Sequence, residues 1–286
     1  MTRQSPVVTY LTKLLKDGGH PNTRFIAFIS MLEEVASVSQ EVARAIVAEL
    51  LDQRGNLKMI ASENFSSIAV QFAQGNLFTD KYAEGIPYRR FYAGCDNVDA
   101  VESLAVSLAK KLFGADHAYM QPHSGADANL IAYWAILSAK IQTPFMNHMG
   151  KTDPSELTER EWSELRSQLG NQRLLGMSYY SGGHLTHGYR HNVSARMFEA
   201  TSYDVDRETG LLDYDRIREQ AKKIRPLILL AGYSAYPRHI NFRTFREIAD
   251  EVGAVFMVDM AHFSGLVAGG VFTNDHDPVA HAHVVT

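Results

Sequence analysis

Hydrophobic and polar positions form their most regular pattern after Asp213. Apolar residues recur at helical spacing over residues 214–224 and 245–252, which predicts two helices. Residues 226–231 and 254–258 follow these helices as near-continuous apolar runs and predict buried strands. This helix–strand–helix–strand order indicates a parallel sheet that is covered on both faces, and therefore an α/β fold.

The second apolar run continues as VFMVDMAHFSG over residues 255–265 and carries titratable groups. Asp259 lies at its C-terminal edge, and His262 follows one short turn later. Ser234 follows the preceding strand in the same way. Open α/β sheets bind ligands at the carboxyl ends of their strands, so this pattern predicts a ligand site on one rim of the sheet.

The pattern is less regular near the start of the chain. Residues 1–29 are interrupted by glycine and proline, and we interpret them as an extension or arm. Apolar residues at helical spacing predict one long helix over residues 30–51. The run LKMIASENFSS at residues 57–67, taken alone, predicts a strand that ends in a capped polar turn.

Residues 81–95, KYAEGIPYRRFYAGC, fit neither an amphipathic helix nor an alternating strand. Tyrosine, arginine and glutamate stand between glycine and proline breakers, so we predict an irregular loop. Such chemistry in a loop is typical of a binding site. It is also typical of a subunit interface, and the two interpretations are compatible.

A predicted helix over residues 99–113 ends at Gly114. The segment after it turns through PHSG and continues as a second helix to Leu137. Small residues at a helix N-terminus, here after Ser124, allow backbone N–H groups to approach an anion. An ordinary N-cap explains the same residues, so this segment alone is weak evidence for a phosphate site.

Residues 141–173 are mostly polar and are interpreted as an inserted segment without chemistry, with a surface helix that begins at Ser155. The following run GGHLTHG places His184 and His187 in a turn framed by glycines. The two histidines could form a metal pair, but no third ligand lies nearby in the sequence, so we predict no metal site. An imidazole held over a flat ligand is the alternative.

Composition narrows the class of protein. The 286 residues are 45% hydrophobic and 21% charged, as in ordinary globular proteins. A net charge of −4 argues against nucleic acid as a required partner. The single cysteine, Cys95, fits a reducing compartment, and no apolar run resembles a secretory signal or a membrane span. We therefore expect a cytoplasmic protein that does not bind membranes.

Taken together, these runs resemble the serine hydroxymethyltransferase family, which has the aspartate-aminotransferase-like fold (fold type I). The resemblance extends from about residue 30 to the end of the chain and implies a three-layer sandwich with a mostly parallel central sheet. We divide the chain into an arm and long helix over residues 1–64 and an incomplete cofactor-binding domain over residues 65–286. The runs that carry the resemblance, in the family's order, are IASENF, YAEG, CDNVDAVE, QPHSGADAN, GGHLTHG, AGYSAYPR, VDMAHFSGLVAGG and HAHVV.

The resemblance implies pyridoxal 5′-phosphate as cofactor. Asp259 matches the acid that keeps the pyridine nitrogen protonated, which makes the ring an electron sink. His184 matches the imidazole stacked on the ring, and Ser234 and His262 match residues near the ring hydroxyl and the Schiff base. The matching phosphate cradle is Ser124, Gly125 and Ala126.

The resemblance also implies that the loop at residues 81–95 reaches the active site of a neighbouring subunit. Glu84 matches the carboxyl group that transfers a proton at the substrate hydroxyl, and it is expected to act as a neutral acid. Tyr92 matches a tyrosine beside the reacting carbon, and Tyr82 matches a phosphate contact across the dimer. Ser62 matches a residue near the substrate carboxylate.

The implied reaction belongs to one-carbon metabolism and amino-acid biosynthesis. It is the reversible conversion of serine and tetrahydrofolate to glycine and 5,10-methylenetetrahydrofolate. Because each active site combines groups from two chains, the resemblance implies a homodimer, or a tetramer built from dimers. A threonine aldolase of related fold is a weaker alternative, because it leaves the YAEG and SENF runs unexplained.

The sequence departs from the family pattern in the loop at residues 81–95. Tyr88 and Ala93 stand where the family usually has glycine, and Phe91 stands where it has tyrosine. A bulky residue in place of glycine is expected to reshape the folate side. These departures affect the expected substrate preference and rate but not the expected cofactor.

The family's Schiff-base lysine lies in a threonine-rich run directly after HAHVV, whereas this sequence stops at Thr286, roughly five residues short of that lysine, and has no lysine after Lys223. We therefore expect the chain to be the N-terminal portion of an enzyme, without the later strands and the small C-terminal domain. The alternative is a non-catalytic binding or dimerisation module. We favour the first interpretation because a parallel sheet without its later strands exposes an unpaired apolar edge.

Overall fold

The computed structural model describes residues 5–286, which form two compact units, one ending at Ala83 and one spanning Glu84–Thr286. No helix within residues 5–286 is long and apolar enough to cross a membrane. The first unit is helical. Its helices are α1 (Pro6–Lys16), α2 (Thr23–Val38), α3 (Gln40–Gly55) and α4 (Ile68–Gln74).

The first unit corrects two sequence predictions. The single helix predicted over residues 30–51 is wrong, because the chain breaks at Ser39, which has extended backbone angles (φ −145°, ψ 105°). The Ser39 hydroxyl accepts the Val42 N–H and so caps a new helix, α3. The strand predicted at residues 57–67 is also wrong: this segment forms no strand, and its apolar side chains are exposed. A strand needs a pairing partner, and within residues 5–286 no strand pairs with this segment.

The second unit is an α/β domain. It opens with the short hairpin strands β1 (Gly85–Ile86) and β2 (Arg89–Arg90). The helices are α5 (Asp96–Phe113), α6 (Gly125–Leu137), α7 (Thr143–His148), α8 (Glu159–Gly170), α9 (Ser194–Met197), α10 (Tyr214–Ile224), α11 (Phe242–Val252), α12 (Ser264–Ala268) and α13 (Pro278–His281). The sheet strands are β3 (Arg173–Met177), β4 (Glu199–Tyr203), β5 (Ile228–Gly232), β6 (Val255–Asp259) and β7 (Val284–Val285).

The five sheet strands lie in the order β4-β3-β5-β6-β7, and every pair is parallel. In β6, Phe256 and Val258 face a core shared with α10 and α11, and Val255 and Met257 face a core shared with α6. Burial on both faces is why this strand reads as a continuous apolar run. The predicted α/β fold with a three-layer arrangement and a parallel sheet is confirmed.

The segment predicted as an irregular loop over residues 81–95 contains a short region of regular secondary structure. Strands β1 and β2 form an antiparallel hairpin in which Gly85 pairs with Arg90. Its turn holds Tyr88 at φ 63°, a left-handed conformation that glycine adopts more easily. A positive φ is a physical reason for the glycine that the family usually has at this position. Here the Tyr88 N–H donates to Asp99 Oδ2 at 2.9 Å.

The surface helix predicted from Ser155 begins later than expected. Ser155 lies in a short 3₁₀ turn, and α8 is capped by Thr158. The Thr158 hydroxyl accepts the Glu161 N–H, while the Glu161 carboxylate accepts the Thr158 N–H at 2.7 Å. This reciprocal capping box satisfies N–H groups at the start of the helix. Leu165, within α8, is fully buried and packs with Phe145 and Met146.

Thr158→Ala is expected to lower the unfolding free energy by about 1 kcal/mol, because the capping hydroxyl is lost. For a domain of this size the thermal midpoint should fall by about 2–4 °C. Ser155→Ala is the matched control and should change the unfolding free energy by less than about 0.5 kcal/mol. Thermal melts followed by circular dichroism compare the two. A larger loss in Ser155→Ala would restore Ser155 as the start of the helix.

Candidate functional site

The carboxyl ends of β3, β5 and β6 bring together three turns of the second unit. The turn after β3 spans residues 178–188 and carries His184 and His187. It is tied to the turn after β5, because Ser234 N–H donates to the Gly182 carbonyl oxygen at 2.7 Å. The turn after β6 begins at Asp259. The rim at which the sequence predicts a ligand site is therefore formed by the carboxyl ends of these strands, and polar side chains lie close together there.

Asp259 is the centre of this cluster. It is 6% exposed, and both carboxylate oxygens accept hydrogen bonds. Asn129 Nδ2 donates to Oδ2 at 2.8 Å, and His187 Nε2 lies 3.0 Å from the same oxygen. The Ala261 N–H donates to Oδ1 at 3.2 Å. A strand end with these donors provides a site for a buried negative charge.

The pKa of Asp259 follows from these contacts. Burial acts to raise it, while the hydrogen bonds from His187, Asn129 and the Ala261 N–H act to lower it. The hydrogen bonds outweigh burial, and the pKa lies below the ordinary carboxyl value. Asp259 is therefore an anion at neutral pH, available to a cationic or N–H-bearing ligand group.

The turn at residues 182–188 fixes the orientation of His184. Its Nδ1 accepts the Thr186 N–H at 3.2 Å and lies 2.8 Å from the Thr186 hydroxyl. Burial is the main factor that lowers the pKa of His184, and this favours the neutral ring. A half-buried, neutral and flat imidazole beside Asp259 suits stacking against an aromatic ligand.

The structure supplies the third group that the sequence did not place near the two histidines. Ligand atoms of His184, His187 and Asp259 lie within 4.8 Å of one another, a geometry that a metal ion could bridge. Three of these atoms, His184 Nδ1, His187 Nε2 and Asp259 Oδ2, already take part in the hydrogen bonds described above. A metal ion bound through them would have to replace those bonds.

Two buried polar atoms on the rim have no hydrogen-bond partner among residues 5–286: Ser234 Oγ and His262 Nδ1. A buried hydroxyl or imidazole nitrogen without a partner is costly in a folded protein. Both residues follow the ends of neighbouring strands, β5 and β6. Both atoms are therefore able to hydrogen-bond to a polar group from outside the described residues.

The N-terminus of α6 lies beside the same turn. A Cβ built on Gly125 would lie 3.8 Å from the Ala261 Cβ, which places the start of α6 next to the Asp259 turn. The Ser124 hydroxyl caps α6 by accepting the Asp127 N–H at 3.1 Å, so the ordinary capping role is present. The N–H groups of Gly125 and Ala126 have no acceptor within the helix, because the first turn of an α-helix has no preceding turn of carbonyl groups. They could therefore bind an anion.

The hairpin loop holds Glu84 and Tyr92 together. The Tyr92 hydroxyl donates to Glu84 Oε2 at 2.8 Å, and this bond raises the pKa of Tyr92. Arg90 connects the hairpin to α5. Its guanidinium donates to the Gly85 carbonyl oxygen and to the carboxylates of Asp99 and Glu102. The Arg90 side chain is 4% exposed, so the hairpin is firmly attached to α5.

The remaining predicted site residues, Ser62 and Tyr82, lie in the first unit and are exposed there. Sequence reasoning did not assign Asn129, Thr186 or His187 to the site. Asn129 was visible only as a polar residue on an otherwise apolar helix. That pattern was the available signal. In the structure the Asn129 side chain lies on the buried face of α6 and is 1% exposed.

A sequence model of the serine hydroxymethyltransferase family matches residues 35–150 and 167–286. A serine hydroxymethyltransferase of Treponema pallidum is 60% identical over 282 residues, covering 99% of this chain and 49% of that relative. A relative of the same name from Salinispora tropica is 59% identical over 93% of this chain and 55% of its own length. One from Chlamydia trachomatis is 47% identical over 95% and 55%.

The chain thus spans about half the length of the curated relatives it matches. The family match has a gap between residues 150 and 167. This gap falls inside the segment at residues 141–173 that we interpreted as inserted, and it contains the start of α8. The matched segments contain Asp259 and the residues that surround it.

Proposed function

This chain belongs to the serine hydroxymethyltransferase family, and from that premise we propose that it provides half of a pyridoxal-phosphate-dependent hydroxymethyltransferase. Combined with a segment that supplies the cofactor-binding lysine, it would convert serine and tetrahydrofolate reversibly to glycine and 5,10-methylenetetrahydrofolate. The observation that carries the proposal is an anionic Asp259 on the same rim as two buried polar atoms that have no hydrogen-bond partner within residues 5–286, Ser234 Oγ and His262 Nδ1. The cytoplasmic location stays a prediction.

The rim fits the proposed cofactor. Pyridoxal phosphate, when bound, supplies an electron sink for the bond that breaks at the substrate Cα. Asp259 would hold the ring nitrogen protonated, and His184 would stack on the ring. Ser234 and His262 would provide hydrogen bonds to its polar substituents. The start of α6, with Ser124, Gly125 and Ala126, would hold the phosphate.

The hairpin fits the substrate side of the proposal. Because Tyr92 donates to Glu84 Oε2, the other carboxylate oxygen is the one that would carry and transfer the proton at the substrate hydroxyl. Glu84 is exposed within this chain. The shielding that a neutral acid needs would therefore come from other groups, which agrees with a site completed by a partner subunit. Ser62 and Tyr82 are proposed to contact the substrate carboxylate and the phosphate.

A homodimer is part of the proposal, and α5 supports it. Four apolar side chains along one stripe of this helix are about half exposed: Val101, Leu104, Leu108 and Leu112. Apolar stripes of this kind mark interaction surfaces. A second copy of the chain is the partner that the proposed shared site requires.

The proposal is tested with residues 1–286 fused at Thr286 to the half of the Treponema pallidum relative that the match leaves uncovered (the joined protein). The joined protein should retain pyridoxal phosphate through gel filtration and should form glycine from serine only when tetrahydrofolate is present. Residues 1–286 alone are the control and should show no turnover. A folded joined protein that binds no pyridoxal phosphate would contradict the proposal at its cofactor. One that binds it without turnover would contradict the reaction.

Glu84→Gln in the joined protein is expected to lower serine turnover about 10²–10⁴-fold, the usual contribution of a general acid–base group. Cofactor retention should not change, because Glu84 is not among the residues proposed to hold the cofactor. Glu219→Gln, an exposed position on α10, is the matched control and should leave turnover unchanged. Turnover of Glu84→Gln within twofold of the unmodified joined protein would remove the role assigned to Glu84.

A further inference from the structure

His187 is the most buried titratable side chain in contact with Asp259. It is 2% exposed, and it ends the short 3₁₀ turn Leu185–His187. Gly188 follows at φ 100°, where a Cβ would lie 2.7 Å from the Ala200 Cβ, so the backbone beyond the turn packs closely against β4. On the other side, a Cβ at Gly183 would lie 2.2 Å from the Met177 carbonyl oxygen. Close packing on both sides constrains the backbone that carries His187.

The hydrogen bonds of His187 set its tautomer. Nδ1 accepts the His184 backbone N–H at 3.2 Å, so this nitrogen carries no proton. The ring proton is therefore on Nε2, which faces Asp259 Oδ2 at 3.0 Å. His187 acts as a donor to the carboxylate and not as an acceptor from it.

Asn129 reinforces the same oxygen. Its Oδ1 accepts the Thr286 hydroxyl at 2.6 Å, which turns its Nδ2 toward Asp259 and Thr186. Oδ2 of Asp259 consequently receives donors from α6 and from the turn after β3. Oδ1 accepts the Ala261 N–H at 3.2 Å, and a carboxylate oxygen has capacity for a further donor.

We propose that His187 is a positioning residue: its Nε2–H, together with Asn129, occupies Oδ2 and so presents an ionised Asp259 to the cofactor through Oδ1. This inference rests on the proposed function, since the ligand of Asp259 is the pyridine nitrogen of that cofactor. Its consequence is specific. Removing the His187 donor weakens the ability of Asp259 to keep the ring nitrogen protonated, without removing any group that touches the ring.

Other titratable groups also face this carboxylate. Tyr133 on α6 donates its hydroxyl to the Thr186 carbonyl oxygen at 2.7 Å, and its pKa is raised by burial and, in addition, by the Asp259 charge. His184 interacts electrostatically with Asp259, His187 and His262. A test of His187 must therefore read the protonation of the ring nitrogen directly, because a pH profile of turnover would mix these groups.

The test uses pyridoxamine 5′-phosphate with a ¹⁵N-labelled ring, which binds without forming a bond to a lysine. It is added to the joined protein, and the ring ¹⁵N chemical shift is followed against pH. His187→Asn, whose short amide does not reach the Nε2 position, should lower the ring-nitrogen pKa by about one unit. It should also weaken binding about tenfold, which corresponds to one lost hydrogen bond to a charged group.

His187→Gln tests the hydrogen bond against simple packing. Its amide nitrogen can occupy the place of Nε2, so the affinity should return to within about threefold of the unmodified protein and the ring-nitrogen pKa to within about half a unit. His148→Asn, an exposed histidine at the end of α7, is the matched control and should change neither value. Circular dichroism establishes that each variant is folded. If His187→Asn fails to fold, a loss in His187→Gln as large as the one expected for His187→Asn overturns the inference, because the Gln variant keeps the donor.

The possible results separate the inference from the proposed function. Failure of the unmodified joined protein to bind pyridoxamine 5′-phosphate would overturn the proposed cofactor and the inference with it. Binding with an unchanged ring-nitrogen pKa in His187→Asn would overturn the inference alone. Equal losses in the Asn and Gln variants would also overturn it, because volume rather than the donated hydrogen bond would then explain the effect.

Discussion

Gly232→Ala is expected to lower the unfolding free energy of the second unit by about 4 kcal/mol or more, the range of exceptional single substitutions. Gly232 ends β5 at φ 103°, a conformation that L side chains rarely adopt. A Cβ there would lie 1.9 Å from the Asp259 carbonyl oxygen and 2.7 Å from its carbonyl carbon. These are backbone atoms of β6, which is packed on both faces and cannot move aside.

The matched control is Gly253→Ala. Gly253 has a similar positive φ of 73°, but no heavy atom of residues 5–286, its own chain neighbours excepted, lies within 4 Å of its Cβ position. It should therefore cost only about 1 kcal/mol, from backbone strain alone. Urea unfolding followed by tryptophan fluorescence measures both, because Trp134 and Trp162 belong to α6 and α8 of the second unit. Equal losses in the two variants would show that the close approach to β6 does not constrain Gly232.

Asp259→Asn is expected to lower the unfolding free energy by about 2 kcal/mol although the two side chains have nearly the same shape. Oδ2 accepts from Asn129 and His187, and Oδ1 accepts the Ala261 N–H. In the variant an NH₂ group replaces one of these two oxygens. In one orientation it lies against the Asn129 and His187 donors, and in the other it lies against the Ala261 N–H. A buried pair of donors in contact loses a hydrogen bond and leaves both groups unsatisfied.

The cost of Asp259→Asn should depend on pH. The pKa of Asp259 is lowered in the folded protein, so its charge stabilises the fold above the ordinary carboxyl value of 3.8. That stabilisation is lost as the pH falls through the lower folded value. The difference between Asp259 and the Asn variant should thus be constant from pH 7 to about pH 5 and shrink below about pH 4.

Asp250→Asn is the control for this pH dependence. Asp250 accepts both of its hydrogen bonds from Arg246 on the exposed face of α11. An exposed ion pair of this kind contributes less than about 1 kcal/mol. Urea unfolding at pH 3.5, 5 and 7 compares the two variants. A cost for Asp259→Asn that stays the same at every pH would contradict an ionised Asp259 with a lowered pKa.

Sequence patterns predicted the elements whose structure depends on nearby residues. Strands β5 and β6 were recognised because both of their faces are buried, which leaves an unbroken apolar run. Helix α5 was recognised from its apolar spacing and from Gly114, which ends it in the left-handed conformation. Strands β3 and β4 were missed. β4 is an edge strand with mixed burial, and its pairing with β3 is a long-range choice.

The break between α2 and α3 shows the same limit. The apolar spacing continues through Ser39, and only the cap geometry of this residue separates the two helices. The start of α8 was misplaced because Ser155 and Thr158 are both good N-cap residues. The carboxylate of Glu161, which accepts the Thr158 N–H, decides between them.

The sequence by itself determined the α/β class, the position of Asp259, Ser234 and His262 after strand ends, and the family. These features depend on the order of residues along the chain, and a sequence contains that order in full. Only the tertiary structure decided which side chains hold Asp259. Asn129 lies 130 residues from Asp259 and His187 lies 72 residues from it, so their hydrogen bonds exist only after the sheet register brings α6 and the turn after β3 to the end of β6.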